Sequence, residues 1–153
     1  MKTICVDFDG VLHSYTSGWQ GAGTIADPPV PGAIEWLITM APHYDIAIYS
    51  SRSKNLFGLL AMRKWIIEQL WNYFADETLK QMGLSALKEA PNEAVSVFDG
   101  AVNDAIDGVI KNVRFPLFKP AAWLTIDDRA ICFDGQFPGA DEIDGFRPWY
   151  KRP

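Results

Sequence analysis

The stretch TICVDFDGVLHS, Thr3–Ser14, begins as a continuous apolar run of strand length and then places two carboxylates close together. An apolar run without alternation is typical of a strand buried on both faces, as in a parallel sheet covered by helices. Asp7 and Asp9 fall at the carboxyl end of this strand, and open α/β sheets bind ligands beyond that end. Two carboxylates there are costly unless a metal or a substrate uses them. The stretch therefore predicts both an α/β fold and the place of its site.

Three further apolar runs indicate additional strands of the same sheet. They are DIAIYSS, Asp45–Ser51; VRFPLF, Val113–Phe118; and AWLTIDD, Ala122–Asp128. A last run, AICFDGQF over 130–137, is expected to form a short hairpin, because Asp134 and Gly135 suit a two-residue type I′ turn.

Helical periodicity appears in the segments between these runs. A first helix is predicted over 31–41, with Pro31 in its first turn. Its apolar face would hold Ile34, Leu37, Ile38 and Ala41. A second helix is predicted from a cap at Ser53 to Phe74. Its apolar stripe would hold Leu56, Leu60, Ile67, Leu70 and Phe74.

Two more helices are predicted before the third strand. One covers 76–90 with Asp76 as its cap, and the other covers 92–112. The stripe of the latter would hold Val95, Phe98, Val102, Ile106 and Val109. Alternation of strands and helices favours a doubly wound α/β fold with a parallel sheet flanked by helices. The segment over about 76–112 is interpreted as a small helical insertion.

Composition and length set the class of protein. A chain of 153 residues predicts a single domain over 1–153, and a net charge of -5 argues against a basic surface for duplex nucleic acid. Cys5 and Cys132 lie in apolar runs without a CxxC pair, which favours buried, reduced thiols in a cytoplasmic protein. No apolar run approaches the roughly 18 residues of a membrane helix, and a strand-like run begins at Thr3, where a signal peptide would stand. We therefore expect a soluble protein without a membrane partner.

The tripeptide FDG occurs three times. In only one copy does another aspartate lie two residues before the aspartate of the tripeptide. Asp99 lies within a helical pattern, and Asp134 lies within the expected hairpin turn. The copy at Asp9 follows an apolar strand and Asp7. We therefore predict that the first copy carries the chemistry.

Polar side chains also follow the other predicted strands. They are Ser50 and Ser51, then Lys119, then Asp127 and Asp128. Each has an ordinary structural explanation, because serines end many strands, lysines are mostly solvated, and acidic pairs often cap helices. Carboxylates, a hydroxyl, a lysine and more carboxylates at strand ends nevertheless form a coherent site for phosphoryl transfer.

These motifs resemble the four motifs of the haloacid dehalogenase superfamily. The matching positions are Asp7-Phe8-Asp9-Gly10-Val11, Ser50, Lys119 and Asp127-Asp128. The resemblance covers Lys2 to about Phe137 outside the insertion, and KPAAWLTIDDRAICFDG (119–135) is similar to small phage and bacterial members, including phosphatase domains of polynucleotide-kinase type. It implies a Rossmann-like sheet without a large cap domain. It also implies Mg²⁺-dependent phosphoryl transfer through an aspartyl phosphate.

The resemblance also implies a role for each matching residue. Asp7 would be the nucleophile, and Asp9 the acid that protonates the leaving oxygen and the base that activates water. Ser50 and Lys119 would bind the phosphoryl group. The Mg²⁺ ligands would be Asp7, the backbone carbonyl of Asp9, and Asp127 with or without Asp128. Dehalogenating members lack the second carboxylate, so Asp9 favours phosphate chemistry, and Val11 is a variant of the threonine that many members carry.

Neighbouring residues are candidates for contacts with the substrate. Ser51 and Arg52 follow the hydroxyl position, and His13 lies just beyond the first motif. The alternatives are that Arg52 is a surface charge beside a helix cap and that His13 is an ordinary loop histidine.

Three functions remain open at this level. The first is a phosphatase of a phosphorylated small molecule or nucleotide, and the second is a polynucleotide end-phosphatase. The third is a non-catalytic interaction module on the same fold. The absence of room for a large cap is consistent with a large substrate, or with a cap supplied by another subunit of a homo-oligomer.

Overall fold

Four parallel strands form one sheet in the computed structural model, which describes residues 1–83 and 92–152. The strands are β1 (Thr3–Val6), β2 (Asp45–Ile48), β3 (Val113–Arg114) and β4 (Leu124–Ile126). Their order across the sheet is β3-β2-β1-β4. The predicted parallel sheet flanked by helices is confirmed, and this architecture is compatible with a Rossmann-like fold.

The register of the strands brings their carboxyl ends to one edge. Val6 of β1 lies beside Ile48 of β2 and Ile126 of β4. Because all three strands run in the same direction, the residues that follow them emerge side by side. The polar strand-end residues predicted from the sequence therefore share one edge of the sheet.

Within residues 1–83 and 92–152, four α-helices and two short 3₁₀ helices accompany the sheet. The α-helices are α1 (Ala33–Met40), α2 (Leu56–Met82), α3 (Asn92–Ile110) and α4 (Ala140–Gly145). The 3₁₀ helices span Ser51–Lys54 and Trp149–Lys151. None of the helices in the described part of the chain combines the length and apolar character needed to cross a bilayer.

The predicted caps at Ser53 and Asp76 are both wrong. Ser53 lies inside the 3₁₀ helix, where its hydroxyl accepts a hydrogen bond from the Ser50 amide at 3.2 Å. The side chain of Asn55 caps α2 instead, by accepting from the Phe57 amide at 2.8 Å. α2 then continues for 27 residues through Asp76, whose carboxylate pairs with Lys80 one turn later.

The core lies between the sheet and α1, α2 and α3. Ile34, Leu37 and Ala41 are buried as predicted, as are four members of the stripe on α3. Those four are Phe98, Val102, Ile106 and Val109. On α2 the predicted stripe is partly wrong, because Leu56 and Leu60 are exposed while Met62, Trp65, Ile66 and Leu70 are buried.

The segment over 76–112 contains the end of α2 and all of α3. α3 packs along α2 and leads directly into β3. Most of the remaining part of the helix predicted over 76–90 lies in 84–91, outside the described residues. That this segment is an insertion in a larger fold stays a prediction.

The predicted hairpin over 130–137 is not formed. The Asp134 carboxylate accepts a hydrogen bond from the Gln136 amide at 3.0 Å across Gly135, whose φ is 107°. Asp134 and Gly135 thus form a local turn, which their residue types favour, but the flanking residues do not pair as strands. Cys132 in the same segment is exposed, contrary to prediction, whereas Cys5 is buried and burial raises the pKa of its thiol.

Candidate active site

The turn that follows β1 brings the first motif to the sheet edge. The Asp7 amide donates to the Ile126 carbonyl at 2.9 Å, which ties the motif to β4. Gly10 then adopts a φ of 89°, in the region that favours glycine, and its amide donates to the His13 carbonyl at 2.7 Å. A Cβ at Gly10 would lie 2.6 Å from the Asp128 Oδ2 atom. Glycine is therefore required both by the backbone and by the close approach of the fourth motif.

Three carboxylates converge beside this turn. Asp7, Asp127 and Asp128 each offer an oxygen atom, and these atoms lie within 4.8 Å of one another. Both Asp128 oxygens are buried without a hydrogen-bond partner among the described residues, and Arg129 Nε is 3.5 Å from one of them. The Asp127 Oδ1 atom accepts from the Arg129 amide at 2.8 Å. A cluster of oxygen donors with an unpartnered buried carboxylate fits a hard divalent cation such as Mg²⁺.

The electrostatics of Asp7 reflect this crowding. Burial raises the pKa of Asp7 to about 7, and the neighbouring carboxylates Asp127, Asp128 and Asp9 contribute in the same direction. A carboxyl group with such a pKa is easily ionised by an approaching cation. The position of Asp7 therefore suits a group that has to be charged only when the site is loaded.

Replacing Asp7 by Asn is expected to stabilise the metal-free protein above pH 7. Because the pKa of Asp7 is raised on folding, its contribution to stability is complete below about pH 4 and is lost as the pH rises to 7. In excess chelator the variant should exceed the wild type by roughly 2–4 kcal/mol in free energy of unfolding at pH 8. The difference should shrink towards pH 5.

Urea unfolding at both pH values measures this difference. Asp134→Asn, in the exposed third FDG copy, is the matched control and should change little at either pH. Equal stabilities of wild type and Asp7→Asn at pH 8 in chelator would contradict the assigned environment of Asp7.

Asp9 has a different environment, because two donors hold its carboxylate. His13 Nδ1 lies 2.9 Å from Oδ1, and Arg52 Nε donates to Oδ2 at 2.8 Å. The His13 Nε2 atom accepts from the Asp27 amide at 3.1 Å, so the ring proton lies on Nδ1 and is donated to Asp9. Burial alone would raise the pKa of Asp9, but the hydrogen bonds from His13 and Arg52 outweigh burial and lower it.

Arg52 is wholly buried, so the alternative interpretation of this residue as a surface charge is wrong. Its Nη1 atom donates to the carbonyls of Gly21, Ala22 and Thr24 at 2.8, 2.8 and 2.9 Å. The Trp19 ring lies 4.8 Å from the guanidinium carbon. Arg52 therefore ties the loop over 21–24 to Asp9.

His13 is also buried rather than an ordinary loop histidine, and its ring stacks on Phe8. Neither His13 nor Arg52 lines the cavity of the site. That these two side chains contact the substrate directly stays a prediction. The structure places both behind Asp9, where they orient its carboxylate.

A cavity of about 290 Å³ opens between the strand ends. Six of the residues predicted for the site line it: Asp7, Asp9, Ser50, Ser51, Lys119 and Asp127. Asp128 is not among the lining residues, but it belongs to the carboxylate cluster with Asp7 and Asp127. Asp99, by contrast, lies on α3, and Asp134 lies in the exposed turn after β4. The tertiary structure thus brings together the first FDG copy with the three other motifs.

The hydroxyl and the lysine face this cavity in different ways. Ser50 is buried and precedes the 3₁₀ helix, with its Oγ atom 3.4 Å from the Arg52 amide. Lys119 is exposed, and none of the described residues forms an ion pair with it. A lysine free of internal partners beside a cavity can neutralise an anion that enters it.

Two tyrosines that line the cavity, Tyr15 and Tyr49, were missed by sequence reasoning, and Tyr15 has a φ of 58°, which is uncommon for a residue other than glycine. Arg129, which the sequence suggested would orient the acidic pair, lines it as well. Trp149 and Tyr150 reach the first motif from the other end of the chain. The aromatic and basic composition of FRPWYKRP was the one visible signal for the latter pair, and no local pattern marked Tyr15.

No family model matches the chain, and neither the curated proteins nor the solved structures yielded a match. The chain is an α/β protein with a carboxylate-rich cavity at the carboxyl edge of a parallel sheet. Its function has to be inferred from the residues of that cavity and their geometry.

Proposed function

We propose that the protein is a Mg²⁺-dependent phosphomonoesterase of the haloacid dehalogenase type, acting through an aspartyl phosphate. The observation that carries this proposal is the convergence of the four motifs on one cavity. Asp7, Asp9, Ser50 and Lys119 line it, and Asp127 and Asp128 stand beside Asp7. Nucleophile, acid–base group, phosphoryl ligands and cation ligands are thus available within one site.

The first step is attack of a carboxylate oxygen of Asp7 on phosphorus, which forms an acyl phosphate and breaks the bond to the leaving oxygen. Lys119 and the Ser50 hydroxyl hold the phosphoryl oxygens, whose charge would otherwise repel Asp7. Asp7, Asp127, Asp128 and the Asp9 carbonyl would hold Mg²⁺. When bound, the ion supplies further neutralisation of the phosphoryl charge.

The second step is hydrolysis of the phosphorylated Asp7. Asp9 accepts a proton from water, and the resulting nucleophile attacks phosphorus and restores Asp7. His13 and Arg52 favour this base role because both donate to the Asp9 carboxylate. Protonation of the leaving oxygen in the first step requires Asp9 to be protonated beforehand, and the lowered pKa of Asp9 disfavours that form. We therefore expect esters with good leaving groups, such as aryl phosphates, to react fastest.

A screen of purified protein against a panel of phosphomonoesters, with Mg²⁺ and with chelator, tests the proposal. The panel should contain nucleotides, sugar phosphates and an oligonucleotide with a 3′-phosphate. Preference for the oligonucleotide would select the end-phosphatase, which the net charge of -5 disfavours. Absence of turnover on the entire panel would favour the non-catalytic module.

Activity is expected to depend on Mg²⁺, because three carboxylates at one place repel each other and a substrate anion unless a cation is bound. Chelator should abolish turnover, and added Mg²⁺ should restore it. Ca²⁺ should support little, since its looser coordination geometry displaces the nucleophile.

Initial rates with an aryl phosphate measure this dependence. The Mg²⁺ stock should be free of Zn²⁺. A chelator already saturated with Mg²⁺ is the control for direct effects of the chelator on the protein. Full turnover in chelator would show that the assignment of a metal site is wrong.

A further inference from the structure

The segment after α4 returns to the turn that carries Asp9. The Trp149 indole Nε1 atom donates to the Gly10 carbonyl at 2.7 Å, between residues 139 positions apart. Tyr150 lies beside it, and its Cε1 atom is 3.0 Å from the point where a Cβ of Gly10 would stand. Two consecutive aromatic side chains therefore contact Gly10, the residue that follows Asp9.

The same segment also reaches the fourth motif. The Tyr150 hydroxyl accepts from Arg129 Nη2 at 3.1 Å, and Arg129 Nε lies 3.5 Å from the Asp128 Oδ2 atom. A chain of contacts thus runs from Tyr150 through Arg129 to the buried carboxylate. The guanidinium of Arg129 is largely exposed, so Tyr150 restricts a side chain that would otherwise sample many rotamers.

The need for this support follows from the topology. β4 is the last strand of the described sheet, with β1 as its single strand neighbour there. The turn at Asp127 and Asp128 is therefore braced on one side by β1 and lacks a strand on the other. Mutual repulsion of Asp7, Asp127 and Asp128 would separate the two turns unless other contacts oppose it.

We propose that Trp149 and Tyr150 are positioning residues that hold the turn at Gly10 and the turn at Asp128 at the spacing needed to bind a divalent cation. This proposal rests on the metal site of the proposed function. Trp149 fixes the carbonyl of Gly10, one residue beyond the Asp9 carbonyl, and Tyr150 fixes Arg129 against Asp128. Neither side chain is a ligand itself.

Two conservative variants test the proposal in the full chain. Trp149→Phe removes the indole N–H and keeps an aromatic ring, and Tyr150→Phe removes one hydroxyl. The matched controls are Trp123→Phe and Tyr44→Phe, which lie at the amino-terminal ends of β4 and β2, the edge opposite the site. The readouts are the Mg²⁺ dissociation constant from calorimetry and the melting temperature in chelator.

We expect Trp149→Phe to weaken Mg²⁺ binding by about 10-fold, as changes to groups that orient metal ligands do. Tyr150→Phe should weaken it by about 3-fold, because the exposed hydrogen bond it removes acts on Asp128 only through Arg129. Both controls should bind Mg²⁺ like the wild type. The Mg²⁺-induced rise in melting temperature should be reduced in the same order.

Wild-type dissociation constants in both variants would overturn the proposal, even if their melting temperatures fell, because the two residues would then serve stability alone. A loss of affinity in Trp123→Phe equal to that in Trp149→Phe would also overturn it. Absence of Mg²⁺ binding by the wild type would instead refute the metal site of the proposed function, and the positioning role with it.

Discussion

Replacing Asp7 by Asn is expected to abolish the covalent route, whereas replacing Asp9 by Asn is expected to trap its product. An amide at position 7 cannot attack phosphorus to form an acyl phosphate, so background turnover alone should remain. Asp9→Asn keeps the nucleophile but loses the base for hydrolysis, which is worth roughly 10²–10⁴-fold in rate. With an aryl phosphate, whose leaving oxygen needs little protonation, the phosphorylated protein should accumulate in the Asp9 variant.

Rapid-quench labelling followed by peptide mapping measures this difference. The label should be found on Asp7 in Asp9→Asn and should be absent from Asp7→Asn. Asp99→Asn and Asp134→Asn are matched controls in the other two FDG copies, and both should turn over like the wild type. A phosphoryl group on Asp99, Asp134 or a serine would show that the nucleophile has been wrongly assigned.

Replacing Arg52 by Met is expected to lower the free energy of unfolding by about 3–5 kcal/mol, the usual cost of removing one partner of a buried ion pair. The variant would leave the Asp9 carboxylate with His13 as its remaining side-chain donor and would free three carbonyls in the loop over 21–24. Arg52→Lys should fall between wild type and Arg52→Met. A single ammonium group can reach Asp9 or the loop carbonyls, but its geometry cannot serve all of them.

Urea unfolding in the presence of Mg²⁺ provides the measurement. Arg63→Met is the matched control, because Arg63 lies on the exposed face of α2 and should change stability by less than about 0.5 kcal/mol. Limited proteolysis in the loop over 21–24 should also become faster in Arg52→Met. If the stability of Arg52→Met equals that of Arg63→Met, Arg52 does not carry the connection between the loop and Asp9.

The two carboxylates of the first motif differ because of their partners and not because of their positions in the strand. Asp7 has like charges as neighbours, and burial raises its pKa to about 7. Asp9, two residues later, has two donors, which outweigh the effect of burial and lower its pKa. Pairs of titratable groups whose environments separate their pKa values are typical of catalytic sites. The structure thus supplies a physical distinction that residue type alone does not contain.

Much of the candidate site could be predicted because parallel strands place their carboxyl ends at one edge. Asp7, Ser50 and Asp127 each follow an apolar run, and the register of β1, β2 and β4 makes those ends adjacent. The helices α1 and α3 were also predictable, since their buried residues recur at helical intervals. These features depend on local patterns and on one general property of parallel sheets.

Other features depend on contacts between distant parts of the chain, which no local pattern encodes. Asp-Gly at 134–135 suits a hairpin and a simple turn equally well, and among the described residues no strand pairs with this segment. Asp76 is a good cap in isolation, but continued packing of α2 carried the helix past it. For α2, packing of the helix outweighs the small energy of a cap.

By itself, the sequence determined the α/β class of the fold and the members of the candidate site, because apolar runs specify buried strands and the polar residues after them must emerge together. The tertiary structure alone decided what holds that set in place. Arg52 is a charged residue that local pattern assigns to the surface, and it is buried because Asp9 and three loop carbonyls supply its hydrogen bonds. Trp149 meets Gly10 across 139 positions, since folding the termini onto one sheet edge brings them together.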